Sequence, residues 1–267
     1  MAEPKESLAS FHEGGKSEHD EEQEHVPHLH AKTYLIVFTV AMVYLAQVIN
    51  LVGTGAFAQA IGVTVGGSED AFWLVAVTAI ETVVFSPPVS QIADYWGRRW
   101  ALIIPTFCGV IGSIIVARAS SMNMAIGGVV VLGIAYGAQP LLHAVASEVL
   151  THRNRVTAQA AVNIGSGLGG IIGLLAGAAM TRNPAGFRNF WYLSAGVFAL
   201  CTVLIFFVYT PPLTELQKSL SFKDKMRKLD SIGYALLTCG LVLFMTSLFI
   251  AENHCECFGH KHRSVRT

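Results

Sequence analysis

The segment SQIADYWGRRW, residues 90–100, joins two long apolar stretches through a short polar link. Three residues of this link are charged, namely Asp94, Arg98 and Arg99. Charged side chains are excluded from hydrocarbon, and arginines collect on the cytoplasmic side of a membrane. Gly97 gives the backbone the conformational freedom that a reversal requires. The segment is therefore predicted to be a tight cytoplasmic turn, in which Asp94 pairs with the arginines or accepts hydrogen bonds from a helix N-terminus.

The composition is that of an integral membrane protein, because 52% of the 267 residues are hydrophobic and only 13% are charged. The formal net charge is zero, with acidic residues concentrated near the N-terminus and basic residues in later loops. This balance gives no indication of a nucleic-acid partner, so the expected partner is the lipid bilayer. The sequence has no P-loop, GxSxG or HExxH motif, so neither an enzyme nor a cofactor is predicted.

Seven apolar stretches are each close to the roughly 20 residues that cross about 30 Å of hydrocarbon. They are apolar around their whole circumference, which predicts an all-α membrane bundle rather than a barrel of short strands. Lysine and arginine number twelve in the N-terminal segment and the loops on its side, against six on the other side. The N-terminus is therefore predicted to be cytoplasmic. The stretches cover about 34–58, 71–93, 100–118, 123–147, 157–180, 189–209 and 231–251.

These stretches divide the chain into five parts. Residues 1–32 carry eight acidic side chains and few aliphatic ones, a composition that predicts a disordered cytoplasmic tail. A six-helix bundle is predicted over 33–209. A basic, amphipathic cytoplasmic connector follows over 210–230, and then a seventh membrane-spanning helix over 231–251. Residues 252–267 form an atypical polar tail.

The polar link resembles the turn between the second and third helices of the major facilitator superfamily, which has the pattern G-x-x-x-D-x-x-G-R-[KR]. Asp94, Gly97, Arg98 and Arg99 match this pattern, and Ser90 stands at the first glycine. Further segments are similar to fungal drug:proton antiporters and to the trichothecene-efflux-like and siderophore-transporter groups. These segments are 28–47, 133–155, 181–187, 209–212 and 228–244.

The resemblance implies a facilitator-type N-terminal bundle of two three-helix repeats, followed by a seventh helix. It implies proton-coupled export of a small organic molecule, such as a drug, toxin or siderophore, across the plasma membrane. Members of the family continue through further helices, so this chain is expected to be truncated and inactive alone. The alternative is a non-transporting membrane fragment that pairs with another transporter or regulates it.

The C-terminal tail begins where the resemblance ends. Its thiols and imidazoles are close enough in sequence to suit zinc or copper. We interpret the tail as accidental and predict no metal site, with metal binding as the alternative. The residues concerned are His254, Cys255, Cys257, His260 and His262.

Glu81 is the acidic residue at the middle of a predicted membrane-spanning helix. An ionised carboxyl at that depth costs roughly 2.5–3.5 kcal/mol on insertion scales, so it normally faces the interior of a bundle. One interpretation is a proton-coupling role in a transport cycle. The other is a neutral acid that is hydrogen-bonded to a neighbouring helix.

Polar side chains also occur in the first and fourth stretches. Gln47 and Asn50 lie about one turn apart, as do Gln139 and His143. The resemblance implies that both helices line a substrate cavity, where these groups would recognise a neutral or weakly polar molecule. Hydrogen bonding between helices is the alternative interpretation.

Glycines recur every fourth residue in the fifth stretch, at Gly169, Gly173 and Gly177, and Gly165 precedes them by one turn. Such a small-residue face allows close approach of another helix. The pattern is similar to the antiporter pattern G-x-x-x-G-P-x-x-G-G, with Leu174 at the proline and Ala178 at the last glycine. The resemblance implies packing on a helix of a second half, so the face is expected to be exposed here and to favour self-association. A general packing surface is the alternative.

Overall fold

The computed structural model describes residues 31–150, 154–180, 186–211, 232–244 and 246–247. Within these ranges the regular structure is helical, with one short 3-10 helix at Ser68–Asp70. The predicted tail over 1–32 and the connector over 210–230 lie outside the described residues except at 31–32 and 210–211, and the predicted tail over 252–267 lies wholly outside them. The helices are α1 (Ala31–Val65), α2 (Ala71–Trp96), α3 (Arg98–Ala117), α4 (Met122–Tyr136), α5 (Gln139–Val149), α6 (Arg155–Met180), α7 (Gly186–Val208) and α8 (Ile232–Phe244).

Six helical segments in the described part are long and apolar enough to cross a membrane, and α4 and α5 together make the fourth of them. This confirms the all-α membrane fold and six of the predicted stretches. The seventh stretch is represented by α8, which is shorter than a full crossing within the described residues. A seventh crossing therefore stays a prediction. The six segments are called spans 1 to 6 below.

The end of span 1 corrects the sequence-based boundary. The helix was predicted to stop near residue 58, but it continues to Val65. It does so because Phe57 and Ile61, one turn apart, are both fully buried in the bundle. The helix ends at Gly66 and Gly67, whose φ angles of 81° and 127° suit glycine.

The segment around Gly97 reverses the chain between α2 and α3 within a single residue. Gly97 has φ +103°, and its N–H donates to the Ala93 carbonyl at 3.0 Å. Its carbonyl accepts from the Ala101 N–H at 3.2 Å, so both helix ends are closed by the same residue. The predicted tight turn is confirmed. We call this side of the bundle the Asp94 end and the opposite side the Arg118 end.

Span 4 is interrupted between α4 and α5 at Gly137 and Ala138. Pro140 follows in the first turn of α5. Because proline has no N–H, it cannot donate to the carbonyl of Tyr136 four residues earlier. The interruption therefore follows from the sequence GAQP at residues 137–140.

The glycines of α6 pack against span 1. Gly165, Gly169, Gly173 and Gly177 are all buried. A methyl group placed on Gly165 would lie 2.7 Å from the Ala41 carbonyl oxygen, and one on Gly169 would lie 2.6 Å from that of Leu45. The expectation that this face is exposed is wrong, because α1 already covers it. We call this contact the glycine seam. Self-association of the chain stays a prediction without this face as its cause.

We expect the Asp94 end to face the cytoplasm, because of the charge asymmetry of the loops. The test uses a cysteine-free chain carrying single cysteines at the exposed positions Asp94 and Ser68. An impermeant thiol reagent added to intact cells should label Ser68→Cys and should label Asp94→Cys only after the membrane is opened. Labelling of Asp94→Cys in intact cells would contradict this orientation.

Candidate functional site

The Asp94 end carries an ion pair between spans 3 and 4. Arg98, the first residue of α3, pairs with Glu148 near the end of α5. Their side chains are 28% and 48% exposed, so water screens the attraction and such a pair is worth at most about 1 kcal/mol. Asp94 itself is exposed and has no ion pair within the described part of the chain. The predicted pairing of Asp94 with the arginines is therefore wrong, because Arg98 pairs with Glu148 instead.

The other cations at this end hold the last turn of span 6. Arg99 donates from Nη2 to the Phe206 carbonyl at 2.7 Å, and its guanidinium lies 5.0 Å from the centre of the Phe206 ring. Lys32, at the start of span 1, donates to the Thr210 hydroxyl at 3.1 Å. Positive side chains stabilise the C-terminus of a helix, where the carbonyls are unpaired. Arg99 of the turn and Lys32 thus tie the starts of spans 3 and 1 to the end of span 6.

Glu81 lies inside the bundle between spans 2 and 4. Its residue is 6% exposed, and its carboxyl rests against Gly133 of α4, so that a methyl group there would overlap the carboxyl. One turn further along both helices, Phe85 rests against Gly137 in the same way. The carboxyl oxygen Oε2 has no hydrogen-bond partner among the described residues. The absence of a side chain at Gly133 therefore leaves the space that the Glu81 carboxyl occupies.

Gln47 and Asn50 are fully buried in the six-span bundle. The Gln47 side chain donates from Nε2 to the Ala135 carbonyl of α4 at 2.7 Å. That carbonyl lies one residue before the end of α4, close to the interruption of span 4. The geometry favours the alternative interpretation for Gln47, namely a hydrogen bond between helices.

Asn50 belongs to a buried polar cluster that joins spans 1, 3 and 6. Its Nδ2 donates to the Ala46 carbonyl at 2.7 Å, and its Oδ1 accepts a short hydrogen bond from the Ser194 hydroxyl. The Ser194 hydroxyl also contacts the Ser113 hydroxyl at 3.3 Å. Asn50 therefore holds helices together inside the bundle. Ser113 and Ser194 were missed by sequence reasoning, since single serines in apolar helices carry no distinctive signal.

Gln139 and His143, the two candidate residues in α5, are only half-buried. The His143 ring nitrogen Nδ1 is 2.7 Å from Oε1 of Gln159 in α6, and Gln159 Nε2 donates to the His143 carbonyl at 2.8 Å. The Tyr44 ring of span 1 meets the imidazole edge to face at 5.2 Å. His143 thus stands where spans 1, 4 and 5 meet, with part of its side chain accessible. Gln159 was missed, although an amide in an apolar helix is a usable signal.

The candidate residues form three separate groups. The turn residues lie at the Asp94 end, Glu81 and the buried amides lie within the bundle, and His143 lies half-exposed on α5. The structure does not bring Glu81 and His143 together. Glu81 packs against Gly133 of α4, whereas His143 of α5 is hydrogen-bonded to Gln159 of span 5. The arrangement offers an ion pair at one end, a buried carboxyl at mid-depth and a partly accessible imidazole between them.

The chain is similar to known transporters over most of its described length. A relative from Pyricularia grisea, the MFS-type efflux transporter pyiT, is 28% identical over 63% of this chain and 28% of its own length. The vacuolar basic amino acid transporter 5 of Saccharomyces cerevisiae is 23% identical over 82% of this chain and 42% of its own length. The chain thus spans less than half the length of these relatives.

The fold has a counterpart among solved structures. A POT family transporter in complex with 5-aminolevulinic acid superposes with a TM-score of 0.62 at 17% identity, over 80% of this chain and 46% of that one. The family model described as Major Facilitator Superfamily matches residues 34–254. With its six apolar spans and the glycine turn at residues 94–99, the chain belongs to the Major Facilitator Superfamily of membrane transporters.

Proposed function

We propose that this chain forms part of a proton-coupled exporter of a small organic molecule in the plasma membrane. In this proposal Glu81 takes up and releases the proton, and the turn at Asp94, Gly97, Arg98 and Arg99 acts as the cytoplasmic gate. The observation that supports it most strongly is the burial of Glu81 at mid-depth between spans 2 and 4.

The position of Glu81 makes its two protonation states unequal in energy. With 6% exposure and an apolar helix on either side, the charged form loses its hydration. A movement that opens the contact between spans 2 and 4 would let water reach the carboxyl and favour release of the proton. A proton at Glu81 and the separation of these spans are therefore linked, which is what coupling to a proton gradient requires.

The Arg98 to Glu148 ion pair has the properties of a reversible gate contact. It joins the start of span 3 to the end of span 4 at the Asp94 end. Because both side chains are partly exposed, breaking the pair costs at most about 1 kcal/mol. A contact of this strength can break and form in every cycle without trapping one conformation.

The proposed direction follows the relatives, and the proposed substrate class follows from the side chains of the spans. The Pyricularia grisea relative is named an efflux transporter, and the yeast relative is named a vacuolar basic amino acid transporter. The spans described here carry no acidic side chain at mid-depth other than Glu81. A neutral or weakly polar organic molecule therefore suits them better than a basic amino acid.

The test measures gradient-driven transport of fluorescent organic dyes in vesicles. It uses this chain completed with the second half of an efflux relative, because facilitators move substrate between two bundles. Glu81→Gln keeps the shape of the side chain and removes its charge. We expect dye binding to persist and gradient-driven transport to fall to less than about a tenth of wild type, equivalent to about 1.4 kcal/mol.

Glu69→Gln is the matched control, since Glu69 is an exposed acid in the 3-10 helix at the Arg118 end. It should transport like wild type at equal expression. Unchanged transport by Glu81→Gln would remove Glu81 from the mechanism.

A further inference from the structure

The contact between His143 and Gln159 fixes which way the Gln159 amide points. Gln159 Nε2 donates to the backbone carbonyl of His143 at 2.8 Å, so this end of the amide must be its amino group. The other end, Oε1, then faces the imidazole nitrogen Nδ1 at 2.7 Å. An amide oxygen can only accept a hydrogen bond, so Nδ1 carries a proton. The two contacts together determine the tautomer of His143.

The second ring nitrogen, Nε2, is a hydrogen-bond acceptor when the ring is neutral. A charged side chain inside a membrane span is normally paired. No acidic side chain pairs with His143 in the described part of the chain, and Glu148 of the same helix pairs with Arg98. A single proton on Nδ1 is therefore favoured, which leaves a lone pair on Nε2.

This lone pair is open to a ligand. Nε2 makes no hydrogen bond to a described residue, and it is not one of the buried polar atoms that lack a partner. His143 is half-buried, so part of it is accessible. The Tyr44 ring lies 5.2 Å away at 79° to the imidazole and restricts its rotation. The tautomer and the position of the ring are thus both fixed before a ligand binds.

The polar face around His143 extends one turn further from the Asp94 end. Gln139 precedes His143 by one turn of α5, and Asn163 follows Gln159 by one turn of α6. Spans 4 and 5 are consecutive and therefore antiparallel, which places these two amides at a similar depth. Asn163 is exposed, and its side-chain amide makes no hydrogen bond to a described residue. Lipid would leave such groups unsatisfied, so this face suits a cavity that admits water or a polar molecule.

We propose that Gln159 is a positioning residue, which holds His143 as a hydrogen-bond acceptor for a hydroxyl group of the transported molecule. The inference rests on the transport function proposed above and narrows its substrate class to neutral organic molecules that carry a hydroxyl donor. The amides of Gln139 and Asn163 can both donate and accept, so they suit further polar atoms of the same molecule. A molecule whose polar atoms are all acceptors, such as an ether, leaves the lone pair on Nε2 unused.

Solid-state nitrogen NMR of the full chain in lipid bilayers, with labelled imidazole nitrogens, tests the tautomer. The His143 signals are those that His143→Gln removes. We expect a protonated Nδ1 and an unprotonated Nε2 at neutral pH. Gln159→Leu should shift the ring towards the form protonated at Nε2, because leucine offers Nδ1 no acceptor. Asn163→Leu is the control in the same helix, and it should leave the tautomer unchanged.

A fluorescent hydroxycoumarin and its methyl ether test the ligand, because they differ only by a methyl group on the donor oxygen. The hydroxycoumarin should move the Nε2 signal of His143, and the ether should not. The hydroxycoumarin should also bind roughly two- to tenfold more tightly, as expected for one hydrogen bond. Gln159→Leu should remove this preference. Partitioning of the probes into lipid is the same for both chains and cancels in this comparison.

A protonated Nε2 in the wild-type spectrum would overturn the inference, and this measurement decides the tautomer even if Gln159→Leu does not fold. A tautomer that Gln159→Leu leaves unchanged, or an Nε2 signal that responds equally to both probes or to neither, would also overturn it. None of these results involves Glu81, so the proposed function would stand. Conversely, unchanged transport by Glu81→Gln would count against that function and leave the tautomer of His143 as it is.

Discussion

Gly169→Leu is expected to prevent the six spans from assembling into a stable bundle. A methyl group on Gly169 would already lie 2.6 Å from the Leu45 carbonyl oxygen of span 1, which is backbone and cannot move aside alone. Inserting even single methylenes into a packed interior costs about 1–3 kcal/mol. Leucine adds four carbons, and the whole free energy of unfolding of a protein is about 5–15 kcal/mol. Gly169→Ala should give an intermediate loss.

Fluorescence-detected size exclusion and thermal unfolding in detergent measure this effect. Gly169→Leu should lose the monodisperse peak, and Gly169→Ala should lower the melting temperature by several degrees, at about 2–4 °C per kcal/mol. Gly167→Ala is the control in the same helix, because a methyl group there meets nothing within 4 Å. It should be neutral or slightly stabilising, since alanine favours helix by up to about 1 kcal/mol over glycine. Equal behaviour of Gly167→Ala and Gly169→Ala would contradict the glycine seam.

Gly137→Ala is expected to separate spans 2 and 4. A methyl group at this position would lie 2.6 Å from Cβ and 2.8 Å from the backbone carbonyl of Phe85. Because these atoms belong to the backbone or are bonded to it, one whole helix must move to remove the overlap. The free energy of unfolding should fall by about 1–3 kcal/mol. Glu81, one turn away on span 2, should become more accessible to water.

Two measurements check this prediction, namely the melting temperature and the rate of hydrogen exchange in the peptide that contains Glu81. Gly127→Ala serves as the control, since it lies in α4 and a methyl group there has no neighbour within 4 Å. We expect slower exchange and a higher melting temperature in the control than in Gly137→Ala. If both variants match wild type, the close contact of spans 2 and 4 at Gly137 is incorrect.

The number, type and approximate ends of the spans were accessible from sequence because hydrocarbon thickness fixes the length of each apolar stretch. The reversal at Gly97 was accessible for a similar reason, since charge and glycine mark a helix end. The end of span 1 was not accessible from sequence. Residues 60–65 are apolar enough to continue the helix, but the polar Gln59 precedes them. Burial of Ile61 in the bundle decides that boundary.

The partners of individual polar residues could not be read from sequence. Asp94 and Glu148 are both acids near Arg98 in the expected topology, and only the packing of α5 against α3 selects Glu148. The glycine spacing in α6 predicts a close helix contact but does not indicate which helix packs against it. Gln47 and Asn50 are likewise compatible with a cavity or a core. Their complete burial is a property of the assembled bundle.

The length of α1 has a consequence for how the helix sits in a bilayer. Residues 33–65 of this helix contain no charged side chain, and at 1.5 Å per residue they extend about 50 Å. That exceeds the roughly 30 Å of an average hydrocarbon core, so the helix must tilt or project beyond it. The mismatch is smaller in the thicker, sterol-rich bilayer at the cell surface than in the thinner endoplasmic reticulum membrane. In bilayers of increasing thickness, α1 is therefore expected to tilt progressively less, since a thicker hydrocarbon core covers more of its length.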